Sequence, residues 1–138
     1  MIYGRADHSL DSKNRITIPV KHRETLGAVC MLVQGTLGNL MLFPLAKWEE
    51  MIGEIENRPI EERNELRDFA FSVSAEVIPD SQGRIVIPQS HLTYAQIKSN
   101  VTIIGNGNYE AIWASEFLAE REAAVEAEKR AKLRSIGF

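Results

Sequence analysis

The sequence has a single cysteine, Cys30, in 138 residues, which excludes a disulfide within the chain. With three histidines besides, a zinc cage of Cys and His ligands lacks donors, and no metal or other cofactor is expected. No stretch approaches the roughly 18–20 consecutive apolar residues needed to span a bilayer. The opening residues Met1 to His8 also lack the apolar core of a secretory signal, so a cytoplasmic chain without membrane contacts is expected. An excess of positive charge is missing too. Lys and Arg number 16 against 19 Asp and Glu, a net charge of −3, whereas a protein wrapping nucleic acid over its whole surface would be basic. A Gly-rich phosphate loop and a His-Glu-x-x-His helix are absent, so no small-molecule substrate is indicated. What remains is ordinary for a globular protein, 44% hydrophobic and 25% charged. Cys30, inside the apolar run Val29 to Val33, reads as a small buried hydrophobe.

The chain repeats itself. Asp11-Ser12-Lys13-Asn14-Arg15-Ile16-Thr17-Ile18-Pro19 returns as Asp80-Ser81-Gln82-Gly83-Arg84-Ile85-Val86-Ile87-Pro88, at an offset of 69 residues, half the chain length. Held without a gap, that offset also pairs Ala6 with Ala75, His22 with His91, Gly38 with Gly107, Asn39 with Asn108 and Trp48 with Phe117. Residues 1–69 and 70–138 therefore read as two copies of one unit. Two copies are too few for a solenoid, and the expectation is a pseudo-twofold body in which each copy covers the other's open side.

Each copy predicts mainly β structure with helices, an α+β fold. A short strand (Ile2 to His8; Phe71 to Ile78) leads into the Asp-Ser turn, and a β-branched strand (Arg15 to Ile18; Arg84 to Ile87) leaves it and stops at proline. Asn14 and Gly83 hold the turn position that asks for positive φ. Asp11 and Asp80 can accept backbone N–H groups across it. Short helices are expected at Val20 to Leu26 and Gln89 to Ile97, then hairpins at Val29 to Phe43 and Val101 to Trp113. Helices follow at Pro44 to Asn57 and Ile60 to Phe69, and a C-terminal one begins near Ser115. The tail of the last, rich in Ala, Glu, Lys and Arg, reads as a solvated helix laced with i,i+4 pairs or one that orders against a neighbour.

The turns are the only repeated polar feature, and the copies differ in charge around them. Met1 to Arg23 carries Arg5, Lys13, Arg15, Lys21 and Arg23 against Asp7 and Asp11, a local +3; the aligned stretch of the second copy has Arg84 alone against Glu76 and Asp80. The first loop is thus the better phosphate binder, with Arg15 able to hold a phosphate or a guanine edge through two hydrogen bonds and Lys13 adding a point charge. A blander reading makes Asp11–Arg15 and Asp80–Arg84 ion pairs that only brace the turns.

Met1-Ile2-Tyr3-Gly4, Leu10-Asp11-Ser12-Lys13-Asn14-Arg15 with Pro19, the mid-chain Pro44 and Trp48, and the second Asp80-Ser81-Gln82-Gly83-Arg84 together resemble the bacterial MraZ family, over essentially the whole chain. The resemblance implies two tandem AbrB-like swapped-hairpin units that form a pseudo-twofold double-split β-barrel and assemble into a ring-shaped homo-oligomer. It also implies a sequence-specific transcription factor that binds direct repeats in the promoter of the division and cell wall operon and associates with the nucleoid. Carried onto this chain, the DNA-contacting motif falls on Asp11, Lys13 and Arg15, with Arg15 reading and Asp11 bracing it. Asn14, where relatives commonly have Gly, still suits a left-handed turn, and Arg5 and Lys21 are the flanking cations expected to meet double-stranded DNA. The second motif falls on Asp80 and Arg84, and with Gln82 in place of a cation it is expected to serve structure and assembly more than DNA.

Two rivals compete. Paired Asp-Ser motifs invite comparison with the aspartic hydrolases, Asp11 and Asp80 sharing one proton, but the following glycine is missing and each Arg would keep its Asp ionised. Asp7-His8-Ser9 cannot form a triad, since consecutive strand residues alternate faces. An enzyme is therefore not expected. The other rival is an antitoxin-like or purely structural assembly module without DNA readout, suggested by the acidic segment Glu49 to Asp68; a stoichiometric partner of another sequence would identify it.

Overall fold

A computed structural model describes residues 1–138. In chain order the elements are β1 (Arg5–Ser9), β2 (Arg15–Thr17), a 3-10 turn (Val20–His22), α1 (Arg23–Leu26), β3 (Cys30–Gln34), β4 (Leu40–Pro44), α2 (Leu45–Ile55) and α3 (Ile60–Ser72). There follow β5 (Ser74–Val77), β6 (Arg84–Val86), α4 (Gln89–Tyr94), β7 (Asn100–Gly105), β8 (Glu110–Ala114) and α5 (Ser115–Ser135). The fold is α+β, with every strand pairing antiparallel.

The strands form a six-stranded sheet in the order β1-β7-β8-β4-β3-β5 and a two-stranded ribbon, β2-β6. Exchanging β1 with β5, β2 with β6, β3 with β7 and β4 with β8 returns the same order reversed, which is the pseudo-twofold expected from the repeat. Each copy's first strand pairs with the other copy's hairpin, β1 on β7 and β5 on β3. The axis runs through the ribbon at Ile16 opposite Ile85 and through the sheet at Met41 opposite Ala111. Across the ribbon the Ile18 N–H bonds the Gly83 carbonyl at 2.8 Å and the Ile87 N–H bonds the Asn14 carbonyl at 2.9 Å, so each Asp-Ser turn is tied to the other copy's exit strand.

A core of 17 buried side chains fills the space between ribbon and sheet, with Ile16, Ile18, Ile85 and Ile87 from the ribbon side meeting Leu32, Leu42, Val101, Ile103 and Ile112. Cys30 is fully buried among them, as expected, and burial raises its thiol to about 11. Truncating Ile16 or Ile85 would cost about 2–5 kcal/mol, so the short ribbon is held by packing rather than by its few backbone bonds. One hydrogen-bonded polar pair enters the interior: His22 Nδ1 lies 2.5 Å from Glu110 Oε1, both side chains buried. Burial raises the Glu110 carboxyl while His22 opposes that shift.

The prolines stand just before the helices with extended dihedrals, Pro44 at φ −56°, ψ 146° and Pro88 at φ −58°, ψ 149°. They occupy the cap rather than the first turn, where their lack of an N–H is harmless and the extended chain redirects into helix. Three expectations need correction. The segment from Phe71 is not strand at its start, because α3 continues to Ser72 and β5 begins only at Ser74. The helix after Pro19 splits into a 3-10 turn and a single α turn. The gapless offset holds through Gly27 and Gln96, both at positive φ. Beyond them the register of β7 is displaced by two residues, Val101 standing opposite His8 as Cys30 stands opposite Val77, and the second hairpin turn is shorter by one, so α5 aligns Leu118, not Phe117, with Trp48.

Candidate nucleic-acid interface

The Asp11 turn is built by its own side chain. Asp11 Oδ1 accepts the backbone N–H groups of Lys13 and Arg15, each at 2.9 Å, and Oδ2 accepts Arg15 Nε at 2.7 Å. The Asp11 N–H returns to the Arg15 carbonyl at 3.0 Å, and Asn14 closes the turn at φ 57°. Burial opposes the Asp11 charge, but the Arg15 and Lys13 hydrogen bonds outweigh it and hold the carboxyl below its usual range. Because Asp11 takes only Nε, the two terminal nitrogens of Arg15 remain unengaged while the side chain, 23% exposed, is fixed in direction. Lys13 stands exposed beside it. A guanidinium steered by one carboxylate with its outer edge open can form two parallel hydrogen bonds to a phosphate or a guanine edge.

The Asp80 turn repeats this bond for bond. Asp80 Oδ1 accepts the N–H groups of Gln82 and Arg84 at 2.9 Å, and Oδ2 accepts Arg84 Nε at 2.7 Å. Gly83 takes the left-handed position at φ 77°. These bonds, the Arg84 backbone N–H foremost, bring the Asp80 carboxyl down to about 2. Both bracing ion pairs of the blander reading are therefore formed, and neither uses up its arginine. The turns lie at opposite ends of the ribbon, with Arg15 across from Val86 and Arg84 across from Thr17. Each carboxylate is held by the backbone and the arginine of its own loop, at opposite ends of the ribbon, so the geometry offers no shared-proton dyad.

Known proteins resemble the chain over nearly its whole length. The matching family model, described as MraZ protein with the qualifier antitoxin-like, covers residues 1–68 and 70–134, two segments that meet where the repeat divides. A relative from Clostridium acetobutylicum named transcriptional regulator MraZ is 36% identical, over 96% of this chain and 99% of its own. One of the same name from Clostridium tetani is 33% identical over the full length of both chains, and one from Roseiflexus sp. is 32% identical over 97% and 99%. The chain belongs to the MraZ family. MraZ relatives are named for regulation of transcription rather than for a reaction, and the chain is not an enzyme.

Within this MraZ fold, the five cations that the sequence places together near the first loop are dispersed. Lys13 and Arg15 share the loop with Asp11 and Asn14. Arg5 sits at the far end of β1, where both terminal nitrogens bond the Glu122 carboxylate of α5 at 2.8 Å. Lys21 is exposed on the 3-10 turn and, with Arg5, lines a separate cleft of about 500 Å³ that also includes Tyr3 and Val20. Arg23 goes to the second loop. Its Nε donates to the Ile18 carbonyl at 3.0 Å, and its guanidinium lies against Gly83. In the sequence Arg23 belongs with the charge of the first copy; only the swapped pairing of β2 with β6 carries it across. In the cationic tail of α5, Arg130 pairs with Glu126 and Lys132 with Glu128, while Lys129 and Arg134 form no ion pair. No helix is long and apolar enough to cross a membrane.

Proposed function

We propose that the chain is a sequence-specific transcriptional regulator that grips double-stranded DNA through its first Asp-x-x-x-Arg loop. The observation that carries this reading is the steered Arg15, held through Nε by Asp11 with its terminal nitrogens open and Lys13 exposed alongside. In the major groove such a guanidinium reads a guanine edge, while Lys13 and the turn's backbone position the loop on phosphate. The proposed targets are direct repeats in the promoter of the division and cell wall operon, and the proposed location is the cytoplasm, in association with the nucleoid. Residues 1–69 and 70–138 are taken as the two AbrB-like copies.

A ring-like homo-oligomer belongs to the same proposal. Exposed apolar side chains along α3, among them Ile60 at 71% and Phe69 at 67%, support a covering by further copies. Loops tethered in a ring add affinity through effective concentration when the DNA repeats match their spacing. The names of the relatives favour regulation of transcription over the antitoxin-like alternative. Fluorescence anisotropy with a duplex of the chain's own upstream region tests the reading. Arg15→Ala should lose about 5- to 150-fold in affinity per engaged loop, with an unchanged oligomer mass by light scattering. Wild-type binding by that variant would refute it.

A further inference from the structure

The second loop has Gln82 where the first has Lys13, and by its own sequence it is one cation short. The fold makes good the difference from the other copy. A Cβ added at Gly83 would lie 2.3 Å from Arg23 Nε, 2.4 Å from Cζ and 2.7 Å from Nη2, so the guanidinium lies directly on the glycine of the turn. Gly83 is buried beneath it, whereas the equivalent Asn14 is exposed. Arg23 is anchored by the bond from Nε to the Ile18 carbonyl, and no carboxylate pairs with it. Its terminal nitrogens are unengaged, as are those of Arg84 next to Gly83 in the chain. The position equivalent to Arg23 in the second copy is Leu92, 4% exposed in the core, so the first loop receives no such roof.

We propose that Arg23, supplied by the first copy, completes the second loop as a second DNA-backbone contact, in the part that Lys13 plays in the first loop. Each loop then presents one Asp, one steered Arg and one further cation, a local charge of +1 at both ends of the ribbon. Two guanidiniums anchored at one loop, Arg84 on Asp80 and Arg23 on Gly83, suit a phosphodiester backbone, in which each phosphate shares its single negative charge over two non-bridging oxygens that accept several N–H donors at once. The contact is made to phosphate rather than to a base, since Arg23 is held flat on the loop backbone and adds register rather than reach. This inference rests on the proposed DNA binding and assigns the second loop to it as well.

The test is an anisotropy titration of the full-length chain against a labelled duplex of its own upstream region, from about 50 to 200 mM salt. Arg23→Gln should weaken binding about three- to tenfold and flatten the slope of log K against log salt by about 0.9 for each second loop engaged. Lys13→Gln should do the same for the first loop. Arg23→Gln combined with Gln82→Lys should recover the wild-type slope, because the cation returns from within the loop as in the first copy. A merely structural Arg23 would give no such rescue. Wild-type affinity and slope for Arg23→Gln, or a folded double variant that recovers nothing, would overturn the proposal. If Arg23→Gln fails to fold, Gln82→Glu and Gln82→Lys decide, since Gln82 is exposed: the first should weaken and the second strengthen binding, and indifference to both overturns it. Loss of binding with Arg15→Ala alongside an indifferent second loop would sink this inference alone, whereas a wild-type chain that binds no duplex would sink the DNA reading with it.

Discussion

The Asp11 and Asp80 turns share every internal hydrogen bond, from the two backbone N–H groups on Oδ1 to the Arg Nε on Oδ2, yet they meet solvent differently. Over the first, Asn14 is exposed and Lys13 projects from the loop itself; over the second, Gly83 lies under Arg23 and Gln82 is neutral. A duplicated turn has kept the device that steers its arginine while the source of its second cation has moved from the loop to the other copy. The geometry of the turn and its charge are thus separable, and the charge of a site built at a swapped interface cannot be summed along one stretch of sequence.

The sharpest way to break the comparison is to remove each steered arginine in turn. Arg15→Ala should cost about 5- to 150-fold in affinity per engaged loop and remove discrimination between intact and scrambled repeats. Arg84→Ala should cost only several-fold, evenly across sequences, because the second loop is assigned to backbone phosphate. Equal loss of discrimination in both variants would make the two loops equivalent readers. Anisotropy with the two duplexes separates these outcomes.

Next in size are the left-handed positions. Gly83→Ala places a Cβ both at φ 77° and inside the Arg23 guanidinium, and should destabilise the fold by about 1–3 kcal/mol. Asn14→Gly meets no such obstacle and should change stability by about 0.5 kcal/mol or less. Thermal or urea melting of the pair measures how far the roof over the second loop constrains it.

Acid titration separates the loops more finely. Asp80 falls from 3.8 in isolation to about 2 in the folded chain. Its folded value is depressed, so its contribution to stability is complete above about pH 4 and is lost as pH falls toward about 2. Asp11 shifts in the same direction. Asp80→Asn should therefore flatten the acid limb of a stability-against-pH curve in that window, leaving only the part due to Asp11 and other carboxylates. An acid limb identical to wild type would show that the bonds of the turn do not stabilise the ionised Asp80. The smallest effect is expected at Arg5, whose pair with Glu122 is solvent-exposed. Arg5→Ala should cost no more than about 1 kcal/mol in melting and leave DNA affinity unchanged, since that side chain is turned to α5 and away from the loop.

Much of this was legible in the residues. Asp11 and Asp80 two positions ahead of a free N–H and four ahead of an arginine announce the turn, and Asn14 and Gly83 announce its left-handed residue. The β-branched run Ile16, Thr17 and Ile18 ending at Pro19 marks β2 and its end. The core strands were visible for the same reason, apolar residues bounded by turn formers. What the residues hid was relational. A gapless offset cannot reveal two residues added before β7 and one removed from the second hairpin, because the glycines and asparagines of both turns still line up by chance of composition. The burial of Glu110 against His22 has no local signal, the partners being 88 residues apart. Arg23 is hidden for the same physical reason: proximity in sequence groups it with Lys13 and Arg15, while strand exchange puts it on Gly83. Arg5 likewise belongs to the first loop in sequence and to Glu122 in space.

In the proposed function a chain of net charge −3 recognises DNA through small, steered clusters rather than through overall charge. The most direct measurement is a gel-shift titration of the full-length chain on its own upstream region, with the direct repeats intact and with them scrambled at equal composition and length. Tight binding to the intact repeats is expected, with at least tenfold weaker binding to the scrambled duplex and loss of that difference in Arg15→Ala. Equal affinity for both duplexes, or an Arg15→Ala variant that still prefers the intact repeats, would contradict it.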